Sequence, residues 1–483
     1  MAKLRSPLDI YPCLPKNCEE YFQIPKMAAA VQIAGRKIKV KEIKNAYQSD
    51  EIQNFAKLAE LLKPAIAEIE IGVGDKRVTV GGDDVMFRHT LSFYNKTPIA
   101  VDVWDTMDEK ELLERISKIQ AFQKFYVGTF LHLDMIAIRS VSGDPKVFGK
   151  CVQTVVKNSG LPIVLCTKSP AIMHEGLKAS KGKNPLMYAC DFSNCAEMAK
   201  LALEFDVPIV LSCPNDLEML KVLSVAVSKA GITKIVLDPG TGAWGSSLKQ
   251  TFQNFIKLRK AGIDGDQDLA FPIIALPIAL CGSKSESDNE CEYEKNLPAN
   301  VAAGYKETII AAALTVRYAD LMIIHGLEAY ELLPLVHVTD MIYTDPRTPS
   351  SVESKMYEIG TPNSMSPVLF TTNFALTYYT VESDLMSAGF NGYLLAVNTG
   401  GLGVEAAVAG GQLTAEVILR DFEKAGFDIT KTSHKTLILP GLAARLQSDI
   451  EKLMGVSTII GPMDSGRLAK WLEENKLSKN KKE

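Results

Sequence analysis

Between Ile99 and His337 short, largely apolar runs alternate with longer stretches in which apolar residues return every three or four positions. The runs are Ile99 to Trp104, Met135 to Ile138, Pro162 to Cys166, Pro185 to Ala189, Pro208 to Ser212, Lys234 to Asp238, Pro272 to Pro277 and Leu321 to His325. Strands covered on both faces need such continuous runs, whereas strands with a wet face alternate apolar and polar residues. The pattern therefore predicts eight βα units and a (β/α)8 barrel, with a doubly wound sheet as the other arrangement it allows. Asn194 followed by Glu197 supplies a helix start between two of the runs.

The flanks read differently. Ile69, Ile71 and Val73, then Val78 and Val80, alternate across Gly74-Asp75-Lys76 and predict a hairpin leading into the barrel. The first 60 or so residues are basic, interrupted by Pro7, Pro12, Pro15 and Pro25, with one helix expected from about Lys26 to Ile33. After the barrel, Tyr343-Thr344-Asp345-Pro346-Arg347-Thr348-Pro349-Ser350 and Gly360-Thr361-Pro362-Asn363-Ser364 are dense in chain-punctuating residues. Beyond them strands are expected at Pro367 to Thr371, Tyr393 to Val397, Thr436 to Leu439 and Ser457 to Ile460. A helix is expected from Ala415 to Ala425, with Thr414 as N-cap and Gly426 as stop. The division that follows is an N-terminal module over 1–60, a barrel over 61–350 and a smaller α/β domain over 351–483, with a frayed charged tail.

Composition narrows the function. The chain has 23% charged residues and a net charge of -4, without the excess of Lys and Arg that draws in nucleic acid or anionic lipid. Its longest apolar stretches, Phe271 to Cys281 and Ile309 to Val316, are well short of the roughly 20 residues that span a bilayer. Lys3 and Arg5 lead into Ser6, Pro7 and Asp9 rather than an apolar leader, so the cytoplasm is the expected compartment. Nine cysteines scattered through apolar strands read as reduced core thiols.

Each strand of the last domain ends in small or hydroxylated residues: Thr371-Thr372-Asn373, Asn398-Thr399-Gly400-Gly401-Leu402-Gly403, Pro440-Gly441 and Gly461-Pro462-Met463-Asp464-Ser465-Gly466. An open parallel sheet binds ligands at these ends, and glycines there let backbone amides approach a large ligand. Ordinary βα turns would have the same composition, and spacing names no ligand.

The stretch Val368-Leu369-Phe370-Thr371-Thr372-Asn373-Phe374-Ala375-Leu376-Thr377-Tyr378-Tyr379, the Leu394 to Gly400 strand end and the Tyr343-Thr344-Asp345-Pro346 link resemble the large subunit of the corrinoid iron-sulfur protein. In archaea that subunit is the gamma subunit of the acetyl-CoA decarbonylase/synthase complex. The likeness runs from about Pro7 to Leu472 and is closest to the archaeal form through Gly72-Val73-Gly74-Asp75-Lys76, Gly81-Gly82-Asp83-Asp84-Val85 and Gly461 to Arg467. It implies a TIM-like barrel with a C-terminal Rossmann-like corrinoid-binding domain. The cofactor would be contacted at Thr371, Thr377, Gly401, Leu402, Gly403 and Val404, with Gly441, Asp464 and Ser465 in nearby turns. Ala406 stands where some bacterial relatives have a threonine beneath the cobalt. The reacting atom would be cobalt rather than any side chain. The subunit would act as a methyltransferase component, carrying methyl groups between a methyltetrahydropterin (tetrahydromethanopterin or tetrahydrosarcinapterin type) and an acetyl-CoA synthase subunit, in a heterodimer with a smaller corrinoid-protein subunit. The loop-rich passage from Thr348 to Ser364 would let the cobamide domain swing between partners.

Two features depart from the family or compete with it. Where relatives read Asn-Cys-Gly-Glu-Cys-Gly-x-x-x-Cys, this chain has Asn17-Cys18-Glu19-Glu20-Tyr21-Phe22-Gln23-Ile24-Pro25-Lys26, keeping only Cys18. Cys13 and Cys18 give two thiolates where a [4Fe–4S] cluster needs about four, so no cluster is expected unless a partner adds ligands, and an external reductive activator would serve instead. The B12 signature Asp-x-His-x-x-Gly is absent, which leaves cobalt without a strong lower ligand and easier to reduce. In the barrel, Asp238-Pro239-Gly240 resembles the turn of pterin-binding barrels, with Asp102, Asp105, Asn215 and Asp216 near other strand ends. It reads either as a structural turn or as a direct pterin site. His325 and His337 read as packing or polar-network histidines. A third reading is a cofactor-free structural paralogue.

Overall fold

The computed structural model describes residues 6–22, 24–36, 38, 43–88, 94–126, 129–242, 245–282, 297–339, 350–433, 435–475 and 477. The link Tyr343 to Pro349 and the tail from Lys479 lie outside them. Two compact units form, one of Met1–Lys124 with Leu131–Tyr343, the other of Phe125–Phe130 with Thr344–Glu483.

In the first unit, strands β1 (Glu68–Ile71) and β2 (Val78–Gly81) pair antiparallel as the expected hairpin. The barrel strands are β3 (Ile99–Trp104), β6 (Met135–Arg139), β7 (Ile163–Cys166), β8 (Leu186–Cys190), β9 (Ile209–Ser212), β10 (Ile235–Asp238), β11 (Ile274–Ala275) and β12 (Leu321–Ile324). Between β3 and β6 in the chain lies a two-stranded pair, β4 (Gln123–Tyr126) and β5 (Thr129–His132), of which Phe125–Phe130 belong to the second unit. The eight are parallel neighbours in chain order, β12 pairs back onto β3, and a parallel bridge from Leu237 to Ile273 joins β10 to the run entering β11. The sheet is therefore a nearly closed (β/α)8 barrel, and the doubly wound alternative falls away. Strand β11 is shorter than expected, flanked as it is by Pro272 and Pro277, which lack the N–H a ladder needs.

Alternation explains the largely apolar runs. Ile99, Val101 and Val103 face outward into the helix layer with Ile136, Ile138 and Leu165, while Ala100, Ala137, Val164, Val210 and Val236 fill the barrel interior. Ile69, Ile71 and Val80 of the hairpin pack into the same interior cluster. The hairpin's end residue Gly72 has φ +85° and lies where a Cβ would come within 2.6 Å of Pro162, so a side chain there is excluded twice over.

Two aspartates and two arginines close a ring in the barrel unit. Asp83 Oδ2 accepts from Arg88 Nε at 3.0 Å and from Arg259 Nη1 at 2.6 Å, and Asp320 accepts from both arginines. None of the four is more than 4% exposed. Arg88 also donates to the carbonyls of Thr315 and Ala319, and Asp320 accepts the Ile273 amide at 2.8 Å.

The N-terminal residues form more helices than expected. Lys26–Ala34 is joined by Pro7–Ile10, Cys18–Phe22 and Ile52–Leu62, packed around Ile10, Leu14, Ile33, Ile43 and Leu58.

The second unit is a five-stranded sheet in the order β13 (Met356–Ile359), β15 (Gly392–Val397), β14 (Val368–Thr372), β16 (Thr436–Leu439), β17 (Ser457–Ile460). The last four are parallel and β13 is antiparallel on the edge. Helices cover both faces: Ala415–Lys424 and Gln447–Met454 pack against Phe370, Leu395 and Leu437, and Ala375–Ser387 and Leu468–Glu474 against Leu369, Leu394 and Ile438. Thr414 caps its helix as expected, its side chain accepting from the Val417 amide. The helix Cys195–Phe205 starts where expected, with Asn194 in the N-cap position, but the Asn194 side chain makes no capping bond: its oxygen accepts the Asp191 amide and its nitrogen donates to the Lys168 and Ala189 carbonyls, pinning the turn.

Candidate functional site

Strand order locates a crevice in the second unit. The chain leaves β14, places β15 on one side of it, then returns to place β16 on the other. Connections from β14 and β15 thus diverge at their carboxyl ends, which is where open α/β sheets bind ligands. A cavity of about 260 Å³ opens there. Its wall takes Thr371 from β14, Thr377 and Thr380 from the following helix, Leu439 and Pro440 from β16 and its end, and Met463 and Ser465 from the loop after β17. Val404 and Leu442 complete the apolar side, and no lining residue is charged.

Of the residues singled out in the sequence, Thr371, Thr377, Val404 and Ser465 line this cavity. Gly403 stands beside it as the N-cap of Val404–Ala409, and a Cβ there would lie 3.9 Å from Thr377 Oγ1. Gly441 begins the turn after β16, where a Cβ would meet the Met463 amide nitrogen at 2.7 Å, so only glycine lets the β16 and β17 ends approach. Gly401 and Leu402 sit one turn back in the same loop, and Asp464 caps its own turn by accepting from the Gly466 amide; none of these three lines the cavity. Thr372 points to the other face, fully buried, its hydroxyl without a partner among the described residues.

The barrel's carboxyl-end mouth carries two polar groupings. Asp102, fully buried on β3, accepts from His325 Nδ1 at 2.8 Å, from Arg115 Nη2 at 2.9 Å and from Arg139 Nε at 2.8 Å. Burial alone would raise its carboxyl, but the His325 hydrogen bond and the two guanidiniums hold it below the usual range. His325 is thus part of a polar network, as expected. Arg115 and Arg139 went unnoticed in the sequence, since they lie 13 and 37 residues from Asp102 and carry no motif.

Across the mouth Asp238, 1% exposed, accepts from Tyr188 Oη and Ser212 Oγ, each at 2.8 Å, and from the Gly240 amide at 2.9 Å. Burial raises its carboxyl despite these donors. Both of its oxygens are taken by the chain itself, which favours the structural-turn reading over a pterin contact. Asp105 likewise spends its oxygens on the Val141 and Ser142 amides and the Ser142 hydroxyl, and Asp216 caps the helix Leu217–Lys229. Asn215 Oδ1 accepts from Asn254 at 3.2 Å. His337 Nδ1 meets the Leu333 carbonyl within its own helix.

Cys18 is fully buried among the N-terminal helices, and burial pushes its thiol up, the reverse of what a metal-binding thiolate needs. Among the described residues no three His, Cys, Asp or Glu side chains gather as metal ligands, and no helix is long and apolar enough to cross a membrane.

The family model described as "CO dehydrogenase/acetyl-CoA synthase delta subunit" matches residues 68–472. Acetyl-CoA decarbonylase/synthase complex subunit gamma 2 of Methanosarcina thermophila is 51% identical over 482 residues, covering 98% of this chain and 99% of that protein. The gamma subunit of Archaeoglobus fulgidus is 42% identical over 480 residues, with the same coverage. Among solved structures, dihydropteroate synthase from Thermus thermophilus aligns at 14% identity with a TM-score of 0.37, covering 55% of this chain and 97% of that one; a likeness that low brings no ligand with it. With identity of this order sustained from end to end, the chain belongs to the gamma-subunit family of the acetyl-CoA decarbonylase/synthase complex.

Proposed function

We propose that this chain is the corrinoid-carrying methyltransferase subunit of an acetyl-CoA decarbonylase/synthase complex, moving a methyl group between a methyltetrahydropterin and the acetyl-CoA synthase subunit. The observation that carries the reading is an uncharged cavity at the sheet's switch point, glycine-edged, in a chain of that family.

The residues present fit a corrinoid. Gly403 and Gly441 bring backbone to the cavity edge without side chains in the way. Thr371, Thr377 and Ser465 offer hydroxyls that can donate to or accept from the amide fringe of such a ring, while Val404, Leu439 and Leu442 give it a dry wall. No histidine lines the cavity among the described residues, so its wall offers no imidazole to a bound metal. A bound corrinoid would supply a cobalt centre able to accept a methyl group and hand it on. The side chains hold and orient it and exclude water, and none of those lining the cavity is placed to shuttle protons at neutral pH.

The N-terminal module in this reading has no [4Fe–4S] cluster of its own, because Cys18 is committed to an apolar core. Reactivation after oxidation of the metal then falls to an external reductant. Assembly with a smaller corrinoid-protein subunit and with acetyl-CoA synthase is supported by the relatives' names as subunits of one complex. The test is an absorption spectrum with cobalt and iron analysis on protein purified without air and incubated with aquocobalamin. About one cobalt per chain with negligible iron is expected. No cobalt after reconstitution, alone or with the smaller subunit, overturns the carrier reading, and stoichiometric iron overturns the cluster-free one.

A further inference from the structure

One side chain shapes the loop that follows β15. Asn373, 5% exposed, sits just past β14, and its own amide donates to the Val397 carbonyl at 2.8 Å, tying the two strand ends together. Its Oδ1 accepts the Thr399 amide at 3.0 Å and the Gly401 amide at 3.1 Å. Two backbone donors fill the two lone pairs of one carbonyl oxygen and thereby fix which end of the side-chain amide faces the loop. The Thr399 hydroxyl, 3.2 Å from the same Oδ1, lies closer to the Leu402 carbonyl at 2.8 Å, where its one proton closes the turn.

From the opposite side the 2%-exposed Asp421 accepts the Asn398 amide at 2.7 Å, and Gly400 donates to Asn398 Oδ1 at 3.1 Å. Between these anchors Gly400 and Gly401 take φ of +68° and +80°, a consecutive left-handed pair in which other residues are strained. The loop delivers Gly403 and Val404 to the cavity. Without an oxygen at position 373 the buried Gly401 amide and that of Thr399, a residue only 3% exposed, lose their acceptor, and the left-handed pair loses what holds it.

We propose that Asn373 is a positioning residue for the corrinoid: through Oδ1 it holds the Thr399–Gly401 backbone so that Gly401 to Val404 present a fixed edge to the ring. The inference rests on the corrinoid reading of the cavity. Its mechanism is pre-organisation, because a loop that holds its binding shape only part of the time weakens the apparent affinity by that fraction.

The experiment compares the full chain with Asn373→Ala and Asn373→Asp, titrating each with aquocobalamin by absorbance and following hydrogen exchange at the Thr399 and Gly401 amides without ligand. Losing both acceptor contacts in Asn373→Ala should weaken binding roughly tenfold or more and speed exchange at those two amides. Asn373→Asp restores an acceptor oxygen of the same reach and should bring both readouts back to within about threefold of the unaltered chain. Asn373→Leu, which fills nearly the same space without an acceptor, should bind as poorly as Asn373→Ala; a Leu variant that binds like the unaltered chain is what a merely space-filling role would give. Should Asn373→Ala fail to fold, Asn373→Ser, whose hydroxyl is too short to reach both amides, gives the same reading. Equal affinity in the unaltered chain and Asn373→Ala, or Asp binding as poorly as Ala, overturns the inference while the corrinoid reading stands. If the unaltered chain binds no aquocobalamin, the corrinoid reading falls and this inference with it.

Discussion

Replacing Asp320 by asparagine should be among the most damaging single-atom changes in the barrel. Asp320 is 4% exposed and faces Arg88 and Arg259, themselves at 4% and 0%, while Asp83 is the other carboxylate of the ring. An asparagine side chain would keep the shape and could still accept the Ile273 amide, but two buried guanidiniums would be left against one carboxylate. Breaking a buried pair by removing one charge costs about 3–5 kcal/mol, far more than the pair contributes over an apolar replacement. Unfolding entropy is about 2 cal/mol/K per residue, so a cooperative unit of several hundred residues loses only about 1–2 °C per kcal/mol, and the melting temperature should fall by roughly 3–10 °C. Calorimetry on Asp320→Asn, Arg88→Met and the double variant separates the charge effect from lost packing. The double variant should lose less than the two singles added together, by roughly 1–3 kcal/mol. A melting temperature for Asp320→Asn within about 1 °C of the unaltered protein, or strict additivity in the cycle, would refute the reasoning.

Asp102 has a depressed carboxyl, so the stability it contributes is present above the ordinary carboxylate range and is lost as pH falls through its folded value; urea midpoints should therefore drop in acid more steeply for the native chain than for Asp102→Asn. Burial pushes the Cys151 thiol to about 12 and that of Cys213 to about 11. Both should resist iodoacetamide at about pH 8 in the folded protein and react only after unfolding, as peptide mapping would show. Gly441→Ala puts a methyl group against the Met463 backbone and should cost about 1–3 kcal/mol and weaken corrinoid uptake. The same change at Gly389, with open space around it, should cost less through backbone strain alone and leave uptake unchanged; denaturant melts and aquocobalamin titration read both.

The barrel was legible because a strand buried on both faces carries few polar residues to hide its length, and the eight runs stand out from amphipathic helices of a different period. What escaped notice had the opposite property. Strand β13 puts Glu358 into solvent on an antiparallel edge, and the β4–β5 pair exposes Gln123, Lys124 and Phe125, so neither presents an apolar run. Short elements with wet faces look like loops in one dimension. The ion ring escaped for another reason: Arg88 meets Asp320 across 232 positions, and no local pattern records a charge partner that distant. The strand-end glycines and threonines were visible as a class, and the cavity brings Thr371, Thr377, Val404 and Ser465 together as neighbours. Asn373 was in plain view in the same stretch, but an asparagine closing a strand looks the same whether it caps a turn of its own or holds another strand's loop.

The distribution of polar groups separates holding from reacting. Around the barrel mouth Asp102, Asp105 and Asp238 each receive three or more donors from the chain itself, which spends their capacity on fixing strand ends. At the switch-point cavity the side chains are hydroxyls, apolar groups and a thioether. A wall of that kind can grip a large neutral surface, and it has nothing that changes charge at pH values of about 5 to 8. In the corrinoid reading, reactivity at the cavity comes from the group held there rather than from its wall. Such a wall has an advantage for a carrier: a ligand meeting no charge at the cavity can change its own without a side chain opposing the change, so one set of contacts serves the loaded and the unloaded form. The corrinoid reading and the positioning role of Asn373 are then parts of one design, in which affinity comes from a pre-shaped edge rather than from charge.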